Sequence, residues 1–501
     1  MKGNGKNSQA LVICFGQFGP YHHARVSALQ KLAHEQGVRA LPVQIAASTT
    51  TYGWAATDSC EGLHTLCTGT DEAASPLEAF VKARKLFQKE KVDVAFLPSY
   101  SPARFFALFA AAKSLGIRTV MMNESHAGTE QATGWKRWIK RQIVKRFDAA
   151  FVGGEPHKRH FASLGIPAEK IFTGYDAVDN ALFAAKADEV RSIERGAGSM
   201  EPERLEVAVE QSRQASVGSS QTVQESVRSA YGLPDRYFLS LGRMVEKKNL
   251  ATLVSAYARY AQGVVGDGRS KMEDGEAPVA LVFVGSGELE SALREQARAL
   301  GLRVVDCTAA GSQSSGVSRQ EGTTANCKLQ TEHSVENHGG AVFFYGFRQI
   351  EENAVFYALA EAFVLPSLKE EWGLVVNEAM AAGLPVIVSR TAGCAEDLLR
   401  ASEQVATASQ SSQLAVASVQ SEKSADAENC ELKTANSLEQ RSNGFVFDPR
   451  SVDALSEALW RVAEMGDRRS EMGRCSREIA AKFSCENFAK QALRAAKASQ
   501  S

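Results

Sequence analysis

Residues 365–389 read LPSLKEEWGLVVNEAMAAGLPVIVS. An apolar run closes near Ser367 and a short charged turn follows. LVVNEAMAA has the composition of a helix, Gly383 and Pro385 stop it, and PVIVS starts a second apolar run. Strand, helix and strand in so few residues form the repeating unit of a parallel sheet. Two acids bracket the turn. Glu370 follows the first strand, at the carboxyl end where α/β sheets take their ligands, and Glu378 falls in the second turn of the helix. The helix N-terminus near Gly373 offers unpaired N–H groups and a partial positive charge, which suit a phosphate. One acid can then hold hydroxyls of a sugar and the other those of a ribose, with the phosphates between. Taken singly, each acid is more often an ordinary helix-terminal or solvated residue.

The same rhythm extends outward. ALVICF, VRALPVQI, VDVAFLPS, IRTVMM and DAAFVGG are short apolar runs separated by helical stretches. A second series begins near Tyr237 with YFLSLG, VALVFVG, AVFFYG, AFVLPS, PVIVS and GFVFDP. Two such series predict an α/β chain of two Rossmann-like domains with parallel sheets, over 1–178 and 179–484, joined near GYDAVDNALF, and a last helix over about 485–498. Four Ser/Gln/Ala/Glu-rich segments, about 188–229, 263–277, 306–340 and 402–442, lack an apolar stripe and read as inserts. The last three follow a helix and precede a strand, so they are expected at the amino ends of strands, away from the site.

Composition narrows the classes. A chain of 501 residues with 23% charged residues predicts two or three globular domains. A net charge of -1 gives no global field toward nucleic acid, and none is expected as a partner. Nine cysteines without C-x-x-C spacing read as free thiols of a reducing compartment. The first ten residues hold no apolar core of a signal peptide, and no run of eighteen apolar residues occurs, so a cytoplasmic location is expected. There is no D-x-D triplet and no His/Cys/Asp cluster at metal spacing, so neither metal nor cofactor is expected.

Other residues converge on the same chemistry. In FLSLGRMVEKKNLATLVSAY, Arg243 and Lys248 lie just past the first strand of the second series, where two cations suit a diphosphate; the plainer alternative is a surface pair partnered by Glu246. In LVFVGSGELE, Gly285 and Gly287 permit close backbone approach after a strand and Glu288 opens a helix, a weak signal alone. In the first series, Gly16, Gly19 and His22 occupy the loop after strand one, with His23 and Arg25 as alternatives. Glu124 and Ser125 follow RTVMMN at another strand end. GWKRWIKRQIVKRF is a basic amphipathic helix. Its stripe of Trp135, Trp138, Ile139 and Ile143 is expected to pack inward, and the sharper alternative is peripheral contact with anionic lipid through 134–147.

The ordered set R-x4-K, V-G-S-G-E and E-x7-E followed by E-A-M-A-x-G-x-P-V-I resembles retaining glycosyltransferases of family 4, with the GT-B fold, and FGPYHHAR, TYGW, FDAAFVGG and LGIPAEKIFTGYDAVDN resemble a bacterial surface-glycan subgroup. The resemblance implies two domains facing across a cleft, with 485–498 packing back on the first. It implies a nucleotide-diphosphate sugar as donor and a glycan or lipid-linked acceptor. Arg243, Lys248 and Glu370 would be catalytic. Glu378 would hold the ribose, the backbone of Trp372, Gly373 and Leu374 would touch sugar and phosphate, and Gly285, Gly287 and Gly16 would complete the donor site. Apart from the resemblance, the positions of Gly19 and His22 in the loop after strand one, and of Glu124 and Ser125 at a strand's carboxyl end, make these four the candidates to face the acceptor. Glu371 and Trp372 stand where the family usually has Gly and Phe, and Asn249 where it often has Gly. A nucleotide-sugar epimerase and a non-catalytic glycan-binding protein on the same fold are the rivals. An acid-pair glycoside hydrolase gives Arg243 and Lys248 no role.

Overall fold

The computed structural model describes residues 9–50, 60–196, 227–263, 277–308, 328–329, 340–400 and 442–500. Most of the four inserts, and the TYGW segment, lie outside the described residues. The first insert is expected from 188, but the helix there continues to Glu194, because Ala187 and Val190 are buried on its inner face.

The first lobe is a sheet of seven parallel strands in the order β3-β2-β1-β4-β5-β6-β7. They are β1 (Ala10–Phe15), β2 (Arg39–Gln44), β3 (His64–Thr65), β4 (Val94–Pro98), β5 (Arg118–Asn123), β6 (Ala149–Val152) and β7 (Ile171–Thr173). Alternation along β1 assigns its two faces. Val12 and Cys14 join the core under α2 (Pro76–Lys89), α3 (Ala103–Ser114), α4 (Gly134–Val144) and α5 (Glu155–Leu164). Leu11, Ile13 and Phe15 join a second core under α1 (Pro20–Glu35).

The second lobe is a sheet of eight strands in the order β11-β10-β12-β9-β8-β13-β14-β15. These are β8 (Tyr237–Leu241), β9 (Ala280–Val284), β10 (Arg303–Asp306), β11 (Lys328–Leu329), β12 (Ala341–Phe344), β13 (Ala362–Leu365), β14 (Val386–Ser389) and β15 (Gly444–Phe447). All pair in parallel except β11, which lies antiparallel at the edge beside β10, inside a segment read as an insert. On one face lie α6 (Asn180–Glu194), α7 (Val227–Tyr231), α10 (Ile350–Leu359), α11 (Leu374–Ala381), α12 (Ala395–Leu398) and α14 (Arg468–Ala480); on the other lie α8 (Leu250–Ala261), α9 (Glu290–Ala299) and α13 (Val452–Glu464).

The last helix, α15 (Cys485–Ala498), returns to the first lobe. Phe488, Ala489, Ala492, Leu493 and Ala496 sit in the core with Val26 and Leu29 of α1. Beside it, Val178 and Ser484 form a short parallel bridge where the chain passes between the lobes.

Three further expectations need correction. The insert about 306–340 follows β10 and not a helix, so it leaves from the carboxyl end of a strand. Cys14, Cys60, Cys67, Cys394, Cys475 and Cys485 are free and buried, but Cys307 is disulfide-bonded. A disulfide requires proximity in space, which C-x-x-C spacing does not report. The stripe of α4 does not pack inward as a whole. Trp135 and Trp138 are 68% and 63% exposed, and the helix is anchored through Lys140, whose ammonium pairs with Glu130 under a covering of protein.

Candidate functional site

The order of the second sheet reverses between β8 and β13, so the loops leaving their carboxyl ends diverge and open a crevice. Ser240, Gly242, Arg243, Lys248, Phe283 and Pro366 line a concavity there. Glu370 enters from the β13 loop. Its Oε2 pairs with Lys248 Nζ and accepts from Ser367 Oγ at 2.9 Å. Lys247 pairs with Glu371 at 2.8 Å. Burial alone would push the Glu371 carboxyl up; Lys247 overrides it and holds it below the usual range. The acids facing Lys247 and Lys248 thus come from across the crevice and not from Glu246. Asn249 ties the two loops together by donating to the Pro366 and Pro449 carbonyls at 3.0 and 2.8 Å. Its φ of 57° is left-handed, a conformation open to Gly or Asn, which explains why Asn is tolerated there.

Behind Glu370 the chain turns into α11 through Gly373, at φ 108°. A Cβ there would stand 3.0 Å from Leu365 Cδ2 and in a strained backbone, so the sharp entry needs glycine. Leu374 opens the helix. Trp372 is a wall residue, 1% exposed; its indole donates to Asn377 Oδ1 at 2.8 Å and packs against His157 and Phe483. Gly285 and Gly287 serve loop packing. A Cβ on Gly285 would lie 2.0 Å from the Gly242 carbonyl, and one on Gly287 2.5 Å from that of Met244. They hold the Arg243 loop from behind. The helix after them starts at Glu290, two residues past Glu288.

Glu378 belongs to a helix buried nearly all round, and it is itself fully buried. A buried carboxylate needs donors. Tyr357 of α10 donates to Oε2 at 2.9 Å, and Tyr21, from α1 of the opposite lobe, donates to Oε1. Burial raises the carboxyl to about 7, against the pull of the two phenols.

The first lobe supplies the facing wall. Gly16 lies against the Asp71 carboxylate, which Arg104 grips at 2.9 and 2.6 Å; a Cβ on Gly16 would come within 2.7 Å of it. Gly19 caps α1, and its N–H donates to His22 Nδ1 at 3.0 Å. The His22 ring stacks on Phe15 at 4.1 Å, and burial first, then Arg25 and His23, takes it down to about 3. It is a neutral cap. Glu124, at the end of β5, shares a buried region with Asp176 and Arg25; burial raises both carboxyls, and the guanidinium nitrogen of Arg25 stands 3.8 Å from Asp176 Oδ1. Ser125 donates its N–H to Asn123 Oδ1 at 2.7 Å.

Residues that no sequence motif marks cross the cleft. His126 donates from Nε2 to the Glu370 carbonyl, and His157 from Nε2 to the Glu371 carbonyl, both at 2.9 Å. Burial lowers His157 to about 4, so it is a neutral donor. Asp397 accepts the Glu155 N–H at the start of α5, and Arg159 pairs with Glu396. His126 and His157 sit just past the ends of β5 and β6, the placement that singled out Glu124; that was the available signal. For Tyr21 and Tyr357 the signal was an acid on a helix without a polar face.

Residues 322–431, which include Glu370 and Glu378, match the family described as glycosyl transferases group 1. A 55-residue segment is 46% identical to the sulfoquinovosyl transferase SQD2 of Arabidopsis thaliana, covering 11% of each chain. A 151-residue segment is 28% identical to the D-inositol 3-phosphate glycosyltransferase of Corynebacterium urealyticum, covering 30% of this chain and 26% of that one. The matched segments thus span about a tenth and a quarter of these relatives' lengths. Solved structures match over almost the whole chain. A glycosyltransferase from Rickettsia africae superposes at TM-score 0.59 and 13% identity over 99% of both chains. Anabaena HepE, in complex with UDP and glucose, superposes at 0.57 and 14% over 97% of this chain and 98% of that one. Sucrose-phosphate synthase from Thermosynechococcus elongatus does so at 0.56 and 16% over the same shares. Two α/β lobes closing on one crevice, with these structural neighbours, give the chain the GT-B fold of the glycosyltransferases.

Proposed function

We propose that this chain is a retaining, metal-independent glycosyltransferase. It would move a sugar from a nucleotide-diphosphate sugar to a glycan or lipid-linked acceptor, in cell-surface polysaccharide synthesis. The observation that carries the reading is the convergence of Arg243, Lys248, Glu370 and the N-terminus of α11 on the crevice between β8 and β13. Solved HepE complexes with UDP and UDP-glucose support the donor class.

In this reading Arg243 and Lys248 receive the leaving diphosphate. As the sugar–oxygen bond breaks, negative charge grows on the phosphate, and fixed donors there favour the transition state over the ground state. The departing phosphate oxygen takes the acceptor proton on the same face, which preserves the anomeric configuration. Glu370, released from Lys248, positions the transferred sugar, and Glu378 holds the ribose. The 372–374 backbone meets sugar and phosphate, while Gly16, Gly285 and Gly287 shape the loops around them. With His22 committed to its cap, acceptor contacts fall chiefly to Gly19, Glu124 and Ser125. The exposed Trp135, Trp138 and Ile139 beside Lys136, Arg137 and Arg141 support contact with an anionic membrane from its cytoplasmic side.

The test is a thermal-shift screen of nucleotide sugars, then turnover with lipid-linked acceptors in EDTA and NMR of the product linkage. Donor-dependent stabilisation, turnover in chelator and a retained anomer are expected. An inverted product, or loss of activity in EDTA that magnesium restores, overturns the mechanism. Stabilisation without turnover on any acceptor favours a binding protein.

A further inference from the structure

Glu370, the proposed sugar-positioning acid, sits on a loop that the other lobe holds by its backbone. The Glu370 carbonyl accepts from the Gly393 N–H of its own lobe at 3.1 Å and from His126 Nε2 of the other at 2.9 Å. The next carbonyl, that of Glu371, accepts from His157 Nε2 at 2.9 Å. The two histidines are built alike. Both are buried, and their rings stand 5.2 Å apart. Each takes a glycine N–H of its own lobe on Nδ1, from Gly128 and Gly154, both at 3.2 Å. An acceptor at Nδ1 leaves the neutral ring its proton at Nε2, so both rings are set to donate across the cleft. Their segments meet at one side chain. Lys140 of α4 pairs with Glu130, at the end of the turn that His126 opens. The same ammonium stands 3.4 Å from Nε2 of His160, one turn after His157 on α5. The two donors are therefore carried on one connected body and arrive together.

We propose that His126 and His157 are positioning residues for Glu370: from the first lobe they fix two successive carbonyls of its loop, so that the acid is aimed at the donor sugar only while the lobes are closed. This rests on the donor reading above. Contact between lobes by itself calls for neither neighbouring carbonyls nor a matched tautomer. Holding two carbonyls in succession restricts rotation of the peptides on the carboxyl side of Glu370. Its carboxylate, held by Ser367 and Lys248 in its own lobe, takes its aim from that backbone.

Turnover of UDP-, GDP- and ADP-glucose by the full chain, with water or a lipid-linked acceptor, tests this beside calorimetric titration with the bare diphosphates. Phe and Gln substitutions both lose the Nδ1 acceptor, but only Gln keeps a donor near the place of Nε2. His126→Phe and His157→Phe should each lower kcat about tenfold or more, as a misplaced group does, and His126→Gln and His157→Gln should keep most of it. Affinity for the bare diphosphate, which the second lobe holds, should stay within about twofold in all four. Thermal melting checks each fold. In the wild type, long-range proton–nitrogen NMR spectra should show both rings neutral with the proton on Nε2. A protonated ring or the other tautomer, wild-type kcat in the His126→Phe, His157→Phe double variant, or equal losses for the Phe and Gln variants overturns the inference and leaves the donor reading standing. So does diphosphate affinity that falls as far as kcat, because the loss is then not one of aim. A wild type that binds no nucleotide, or turns over no donor with water or acceptor, takes the transferase reading down and the inference with it.

Discussion

Lys248 has one ammonium and two claims on it. In the structure it pairs with Glu370, with both side chains largely shielded from water. In the proposed reaction it turns to a diphosphate beside Arg243. Replacing either cation by Ala should lower kcat by about 10²–10³, or roughly 2.7–4 kcal/mol, by analogy with loss of one oxyanion donor. Near wild-type turnover in the double variant would show that the phosphates are held elsewhere. Glu378 gives a pH signature. Its carboxyl rises from 4.5 to about 7 on folding. Between those values the folded chain keeps a proton that the unfolded chain has lost, so this group's contribution to stability falls as pH rises through the window and levels off above it. The full effect is on the order of 3 kcal/mol. Glu378→Gln cannot ionise, so its stability relative to wild type should improve between about pH 4.5 and about pH 7 in urea titrations. A difference that stays flat with pH would mean that Glu378 holds no such proton.

At the level of elements, α11 and its entry turn show what local pattern reveals and what it hides. The strand, turn and helix of 365–389 could be read directly because apolar runs and Gly/Pro stops are local. So could the position of Glu370, since the carboxyl end of a strand follows from its direction. Hidden were the partners: Tyr21 lies 357 positions from Glu378, and His126 lies 244 from Glu370. No periodicity encodes contacts of that separation. The loop glycines were seen as close-approach positions, but only the fold shows that the neighbour is another loop. Gly373→Ala should cost about 1–3 kcal/mol, from left-handed strain and the contact with Leu365, and should also weaken nucleotide binding. Gly301→Ala, equally left-handed at φ 78° but with open space around its Cβ, should destabilise and leave binding intact. Equal effects of both on binding would refute the entry-turn account. For α4, the pair Trp135→Ser and Trp138→Ser should change stability by less than about 0.5 kcal/mol, because both rings are exposed. It should abolish sedimentation with vesicles rich in phosphatidylglycerol. Undiminished sedimentation would remove the membrane role from this helix.

For the whole molecule, the architecture of two lobes was legible because each strand run repeats the same grammar. The antiparallel β11 was not, because two residues inside a Ser/Gln-rich segment carry no pattern. The longest insert departs and returns at one place. The Arg400 N–H donates to Asn443 Oδ1 at 2.9 Å, and Asn443 donates to the Leu398 carbonyl at 2.9 Å. Both ends lie between α12 and the amino end of β15, away from the crevice. Replacing 401–441 by a short Gly/Ser linker should therefore leave nucleotide affinity within about twofold, since closing a long loop costs little. A tenfold loss would mean that the segment reaches the crevice. The bridge between Val178 and Ser484 has a mechanical meaning. The chain passes from lobe to lobe twice, and the two spans lie side by side. A single span would be a leash, free to twist and slide. Two adjacent spans form a pin that leaves one lobe a single axis of rotation against the other, like a door on its frame. Any rotation about that axis returns Tyr21, His126 and His157 to the same acids and carbonyls, so that the jamb meets the latch without a search for alignment.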